Sequence, residues 1–403
     1  MKKKQLTPNR VIVTFALFFL LTIDTGFYSS ERMSGTIRLI ISIAAVGLII
    51  ITRLQKTILS NPFFSRLNRT FLFFVLSLIL PVIYGNFNTK QMIVTLVPWV
   101  VGYLFTLFVS YQEFKDAFLS IVRFLAVYSL ITFFLGIILP DLITVLPSIE
   151  KNGTLYYNTV FSVVSNSLFV SRNFGIFWEP GAFSIFLNVA LYFELFENKF
   201  NAKHILLLSV TILTTVSTLG IVCMVILFAA FLTTDKYVSS SRIKSLIVTA
   251  GALGLVVLIF YGGDFIYNTF NKLDMSGTTI NESTAVRMNA IIYPGSAFLE
   301  NPIFGVGYDD YLFIQERFCG GMATCSFINW LCLFGILGGI IPVVGCIRFF
   351  TINNHNFLAN CALFIFTMFL FSTENFIQII FIYILMFFGY NKRNNNSFLK
   401  KLV

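Results

Sequence analysis

The chain has 403 residues, of which 57% are hydrophobic and 17% aromatic, while only 11% carry a charge. A soluble domain carries about 25% charged residues, so this composition excludes an ordinary globular enzyme and indicates an integral membrane protein. The net charge of +10 does not point to nucleic acid, because the lysines and arginines stand singly between apolar runs and form no cationic face with interleaved aromatics.

Met1-Lys2-Lys3-Lys4 and the apolar run from Val11 to Ile23 have the basic start and hydrophobic centre of a secretory signal. No small-x-small cleavage site follows, and many further apolar runs do, so the stretch reads as an uncleaved first membrane helix. Runs close to the roughly 20 residues a bilayer-crossing helix needs recur at 36–52, 70–85, 90–110 and 118–139, then at 178–196. Two short runs, 204–217 and 219–233, meet at Ser217-Thr218-Leu219-Gly220, the sequence of a tight turn. The series closes with 245–262, 323–348, 357–371 and 376–390. The expected fold is all-α: one polytopic membrane domain over 1–403 with about twelve transmembrane helices and two polar loops, 140–177 and 263–322.

Lysine and arginine set the orientation. If the N-terminus is cytoplasmic, inner segments hold Lys2, Lys3, Lys4 and Arg10, then Arg53, Lys56, Arg66 and Arg69, and at the end Lys392, Arg393, Lys400 and Lys401. Outer segments hold fewer: Arg32, Arg38, Lys90, Lys151, Arg172, Lys272, Arg287 and Arg317. Both termini are therefore expected in the cytoplasm and both polar loops outside. Among the cysteines, Cys223, Cys332, Cys346 and Cys361 fall in or beside apolar runs and read as small core residues. Cys319 and Cys325 share the second outer loop, where an oxidising compartment permits a disulfide, and bonded and free forms are equally open. With no histidine on that side, zinc is not expected.

An arginine outside works against the insertion bias and needs a reason. Arg172, Arg287 and Arg317 all lie where polar loops join helices. Guanidinium is suited to a bidentate grip on phosphate, whereas the plain alternative is snorkelling to headgroups or pairing with loop acids. Arg32 and Arg38, in a short early loop, are assigned to that plain alternative. Glu179 precedes Pro180, a residue suited to a helix's first turn, so it is either a dipole-stabilised end residue or a base that removes a hydroxyl proton. In the second loop Gly305 and Gly307 allow close backbone or substrate approach, and Tyr308, Asp309 and Asp310 follow directly. Adjacent aspartates are not a spaced metal motif, so no metal and no cofactor are expected. Glu374, in the turn Ser372-Thr373-Glu374-Asn375, is a further candidate acid. His204 and His355 fall at inner helix ends.

Three stretches carry a resemblance: "RNFGIFWEPG" over Arg172–Gly181 leading into an apolar run, the short runs meeting at "TTVSTLG", and the outer loop in which Arg287 precedes "NPIFGVGYDD". With the hydropathy profile, the chain resembles the O-antigen polymerase and ligase superfamily of bacterial envelope glycosyltransferases. That resemblance implies a GT-C-like fold in the bacterial inner membrane. It further implies a polymerase acting at the periplasmic face on undecaprenyl-pyrophosphate-linked oligosaccharide, as donor and as acceptor, in lipopolysaccharide or another polysaccharide biosynthesis. Membrane lipid is a partner, and a chain-length regulator protein is left open. Ligases of this superfamily use an outer-loop histidine, which this chain lacks, so the polymerase branch is favoured over a ligase. A flippase or transporter for the same lipid-linked sugar is the other alternative. Under the polymerase reading Glu179, Arg172 and Arg287 are catalytic, while Arg317, Asp309, Asp310, Gly305, Gly307, Tyr308 and Glu374 bind substrate.

Overall fold

The computed structural model describes residues 8–58, 75, 79, 89–151, 153–165, 172–234, 282–320, 324–351, 357–372 and 374–399. In chain order the helices are α1 (Pro8–Thr25), α2 (Phe27–Arg32), α3 (Gly35–Ile58), α4 (Thr89–Phe108), α5 (Tyr111–Ile138) and α6 (Pro140–Thr144). Strands β1 (Ser148–Lys151), β2 (Thr154–Asn158) and β3 (Val163–Ser165) precede α7 (Pro180–Tyr192), a π-helical turn (Phe193–Glu197), α8 (Ala202–Thr214) and α9 (Thr218–Leu232). The rest comprises α10 (Glu282–Glu300), α11 (Gly307–Phe318), α12 (Ser326–Thr351), α13 (Phe357–Leu370) and α14 (Ile380–Leu399). Gly35–Arg53, Tyr111–Ile138 and Ser326–Thr351 are long and apolar enough to cross a membrane, and shorter apolar helices accompany them. The chain is thus a mostly helical membrane protein. The runs at 70–85 (apart from positions 75 and 79) and 245–262, and the 263–281 part of the second loop, lie outside the described residues.

The chain divides into two compact units. Unit 1 is Met1–Arg66, Val97–Met224 and Ile379–Val403, and unit 2 is Leu67–Leu96 and Val225–Gln378. In unit 1, α5 starts seven residues before the apolar run expected at 118–139, because Ser110 and Glu113 form a reciprocal capping box that satisfies the first amides of a polar opening turn. It packs against α1, α7 and α8. Its outward apolar stripe, Phe124, Val127, Ile131, Phe134 and Ile138, is exposed, which is the lipid-facing spacing of a membrane helix. The opposite face buries Phe114 and Phe118, stacked at 5.9 Å, with Phe118 stacked in turn on Phe381 at 5.0 Å.

The all-α expectation needs one correction. The loop at 140–177 contains a three-stranded antiparallel sheet, ordered β1-β2-β3, with Tyr156 opposite Ser165 and Ile149 opposite Tyr156. Strand alternation explains it: Ile149, Tyr156 and Val163 gather with Phe27 and Phe174 on one face, and Tyr157 and Val164 with Ile143 on the other. Each strand is three to five residues long, too short for the pattern to stand out beside the membrane runs.

In unit 2 the expected span 323–348 is not one straight helix. Gly335 adopts φ 61°, ψ −166° within α12, and a Cβ built on Gly339 would stand 2.4 Å from the Trp330 carbonyl oxygen. Along an unbroken helix those residues would be about 13 Å apart, so the two halves of α12 fold back on each other.

Candidate functional site

The Arg172–Gly181 segment is the structural hub of one end of unit 1. Asn173 is buried and donates its Nδ2 to Ser129 Oγ (3.2 Å) on α5 and to Thr214 Oγ1 (3.0 Å) at the end of α8. Its Oδ1 accepts from Gly175 N at 3.0 Å, and its backbone N donates to Thr214 O at 3.0 Å. Gly175 then turns the chain at φ +54°, a left-handed conformation that favours glycine. Beyond it the segment lies along the break between α1 and α2: Phe27 N donates to Ile176 O at 2.8 Å and Trp178 N to Thr25 O at 3.3 Å. Phe177 is fully buried and stacks on Phe183 and Phe186 at 5.3 and 4.5 Å. The segment is a strap tying α1, α5, α7 and α8 together at one level.

Arg172 is aimed at the α8–α9 turn. Its Nε donates to Thr215 O at 3.1 Å and one terminal nitrogen to Val216 O at 3.4 Å. These carbonyls are at the negative end of the α8 dipole, where a cation gains about 0.3–1 kcal/mol. The turn is strained, since Val216 is β-branched and has φ +50°. Glu179 is the N-cap residue of α7 in extended conformation, with Pro180 in the first turn, and its side chain makes no capping bond. The helix start read from the Glu-Pro pair is therefore observed, with the carboxylate half-buried at the positive end of α7.

The opposite end of unit 1 has a different character. Four ionic residues on the first turns of α5 each have a partner: Glu113 with Arg53 (3.0 Å), Lys115 with Glu197 (3.7 Å), Asp116 with Arg10 (2.8 Å) and Arg123 with Glu194. Tyr111 donates to the Glu197 carboxylate at 2.6 Å, and His204 Nδ1 lies 3.4 Å from Glu194 Oε1. Glu194, which is 1% exposed, also accepts from Asn198 at 3.4 Å. The π-helical turn inserts an extra residue per turn and brings both Glu194 and Glu197 round to α5.

The remaining sequence candidates are in unit 2. Arg287 lies on α10. Gly305 (φ +74°) is packed against backbone: a Cβ there would meet the Cys332 and Leu333 carbonyl oxygens at 2.5 Å. Val306 N donates to Cys332 O and Ile336 N to Pro302 O, each at 2.8 Å. The glycine thus permits two chain segments to cross at the break in α12. Gly307 (φ +80°) opens α11, whose buried face carries Tyr308, Tyr311 and Gln315. Tyr308 Oη accepts from Gln378 Nε2 at 2.6 Å and Tyr311 Oη from Asn375 Nδ2 at 3.1 Å. Burial pushes both phenols above the usual tyrosine range, those hydrogen bonds partly offsetting it. Asp309 and Asp310 are exposed in the first turn of α11, where the helix dipole favours acids. The Arg317 guanidinium lies over the Phe313 and Phe318 rings, at 5.6 and 5.9 Å. Glu374 is half-buried, and its carbonyl accepts from the Ser326 hydroxyl. Cys319 and Cys325 are free thiols: Cys319 Sγ donates to Asn289 O at 3.5 Å and Cys325 Sγ to Ser372 Oγ at 3.9 Å. Among the described residues no cluster of three or more His, Cys, Asp or Glu side chains is placed to hold a metal.

No protein-family model matches the chain, and no curated protein matches it significantly. The geometry therefore carries the functional argument. Of the sequence candidates, the fold brings Arg172 and Glu179 to one end of unit 1, while Gly305, Gly307, Tyr308, Asp309, Asp310 and Arg317 cluster in and around α11 of unit 2. Sequence reading missed Asn173 and Asp24. Asp24 accepts from Ile380 N at 2.9 Å and so caps α14 from α1. An aspartate directly after the apolar run Val11 to Ile23 was the available signal.

Proposed function

We propose that the chain is a membrane glycosyltransferase of the O-antigen polymerase kind, joining lipid-pyrophosphate-linked oligosaccharide units at the outer face of a bacterial inner membrane. The observation that carries this reading is the strap: an arginine and a carboxylate seven residues apart in sequence, held on rigid neighbours at the end of unit 1 away from the ion-paired layer. In the positive-inside orientation that layer, with Arg10 and Arg53, is cytoplasmic, and the strap faces outward. Sites built on well-packed elements keep catalytic groups in register.

In this mechanism the Arg172 guanidinium, oriented by the Thr215 and Val216 carbonyls, stabilises the negative charge that builds on the leaving pyrophosphate; for Arg287, on α10 of unit 2, the catalytic role comes from the sequence resemblance alone. Glu179 removes the proton from the acceptor sugar hydroxyl as that oxygen attacks the donor's anomeric carbon and the C–O bond to pyrophosphate breaks. In unit 2 the resemblance alone assigns substrate binding to Arg317, Asp309, Asp310, Tyr308 and Glu374, with Gly305 and Gly307 shaping the backbone that carries them. No metal or cofactor enters the scheme.

A second reading, a flippase for the same lipid, is favoured by the broken α12, because interrupted helices are common in transporters. Scoring products in a bacterium deleted for the gene separates the readings. Loss of a polymerase leaves single repeat units attached to the lipid A core, loss of a ligase leaves no attached sugar, and loss of a flippase traps units inside. Single attached units are the result expected here.

A further inference from the structure

Helix α3 has a face that the site described above does not use. Its exposed side carries Ile37, Ile40, Ile43, Leu48 and Ile51, as expected of a surface against lipid. The other side carries Arg38, Ser42, Val46 and Ile49 at one-turn spacing and packs against α1. Val46 and Ile49 are ordinary buried apolar groups, but Ser42 is 1% exposed and its hydroxyl has no hydrogen-bond partner. One turn above it, the Nε of Arg38 is also buried and without a partner. Adjacent orphans on one buried face are unusual, since buried polar atoms are nearly always satisfied, and each unsatisfied donor costs about 1–3 kcal/mol.

The surrounding charge does not remove the deficit. The field of Arg38 acts on Asp24 at the end of α1, but Asp24 Oδ2 is taken up by Ile380 N. Arg38 is also in the N-terminal part of α3, where the helix dipole opposes a cation, and Ser34 Oγ and Ser34 O already accept from Ile37 N and Arg38 N. The position is costly for a cation and has donors facing inward. An anion would resolve both.

Depth selects the anion. Arg53, on the same helix, is tied to Glu113 in the ion-paired layer, and from there to Arg38 the helix rises about 22 Å. With that layer at one interface of an apolar core about 30 Å thick, Arg38 and Ser42 stand below the opposite interface. A small soluble anion would have to desolvate to reach them. A phosphate group carried on a lipid arrives there already anchored.

We propose that Arg38 and Ser42 form a binding site for the phosphate group of a membrane-anchored amphiphile, with Arg38 Nε–H and the Ser42 hydroxyl donating to phosphate oxygens. The site rests on no assumption about the reaction and holds whether or not the chain polymerises sugars. Full-length protein in phosphatidylcholine nanodiscs, titrated separately with a long-chain polyprenyl phosphate, phosphatidylglycerol and inorganic phosphate and read by native mass spectrometry, tests it. Wild type should retain polyprenyl phosphate or phosphatidylglycerol, and Ser42→Ala and Arg38→Gln should each weaken that retention about tenfold or more. The unfolding temperature of Ser42→Ala should match wild type. The lipid that is lost identifies the source of the phosphate. Unchanged retention in Ser42→Ala would overturn the site, and the same result with a raised unfolding temperature would assign the orphans to an internal water. Equal retention of inorganic phosphate would overturn the lipid anchor. If Arg38→Gln fails to insert, Ser42→Ala alone decides.

Discussion

The two ends of unit 1 solve the problem of polar groups in a membrane protein in opposite ways. At one end, Glu113, Lys115, Asp116 and Arg123 on α5 are each matched to an ion of opposite sign, and the most buried of those acids, Glu194, has three partners. At the other, backbone carbonyls hold Arg172, Val216 has positive φ, and Arg38 and Ser42 keep unsatisfied donors. Strain and incomplete satisfaction persist where surrounding packing over-determines them, and they cluster at functional sites. Under the proposed function, the ion-paired end supplies stability and the strap end supplies chemistry.

The largest effect that could break this contrast is at the ion-paired end. Glu194→Ala leaves Arg123 unpaired against a buried site and should cost about 3–5 kcal/mol of stability, seen as a lower unfolding temperature and lower membrane yield, with specific activity of the surviving protein near normal. A selective loss of activity at unchanged stability would reverse the assignment. Next in size, Arg172→Ala should cost about 2.7–4 kcal/mol of transition-state stabilisation and abolish long-chain polysaccharide, and Arg287→Ala should do the same, while both proteins insert and unfold like wild type. Asn173→Ala sharpens the comparison, because Asn173 belongs to both descriptions. Removing two donors from buried Ser129 and half-buried Thr214 should cost about 1–3 kcal/mol and lower activity as well, by loosening the strap that carries Arg172. The smallest effect is expected for Arg10→Ala, whose partly exposed pair with Asp116 is worth at most about 1 kcal/mol. A drop as large as that of Glu194→Ala would show that burial does not grade this network.

Much of this division was legible in the sequence, and the part that was not has identifiable physical causes. Hydropathy located α5 and the α8–α9 pair, and Glu179-Pro180 marked the start of α7, because these signals are local and strong. The Arg172 segment stood out as polar residues beside an apolar run. The sheet at 148–165 did not, since strands this short owe their existence in part to Phe27, which is distant in sequence. Gly335 was hidden inside a continuous apolar run, where composition cannot register a reversal of direction. Arg38 was assigned to headgroups or loop acids, because its place on the α1-facing side of α3 depends on where α1 packs. Gly305 was read as allowing close backbone or substrate approach; the approach it makes is to the backbone of α12, and only a folded chain reveals which segment crosses there.

The most direct test of the central claim is the polysaccharide made by purified Arg172→Ala protein, reconstituted in liposomes with lipid-linked repeat units after its unfolding temperature has been matched to wild type. The account predicts unreacted single units from the variant where wild type gives a ladder of lengths. A normal ladder from a normally folded Arg172→Ala protein would contradict it.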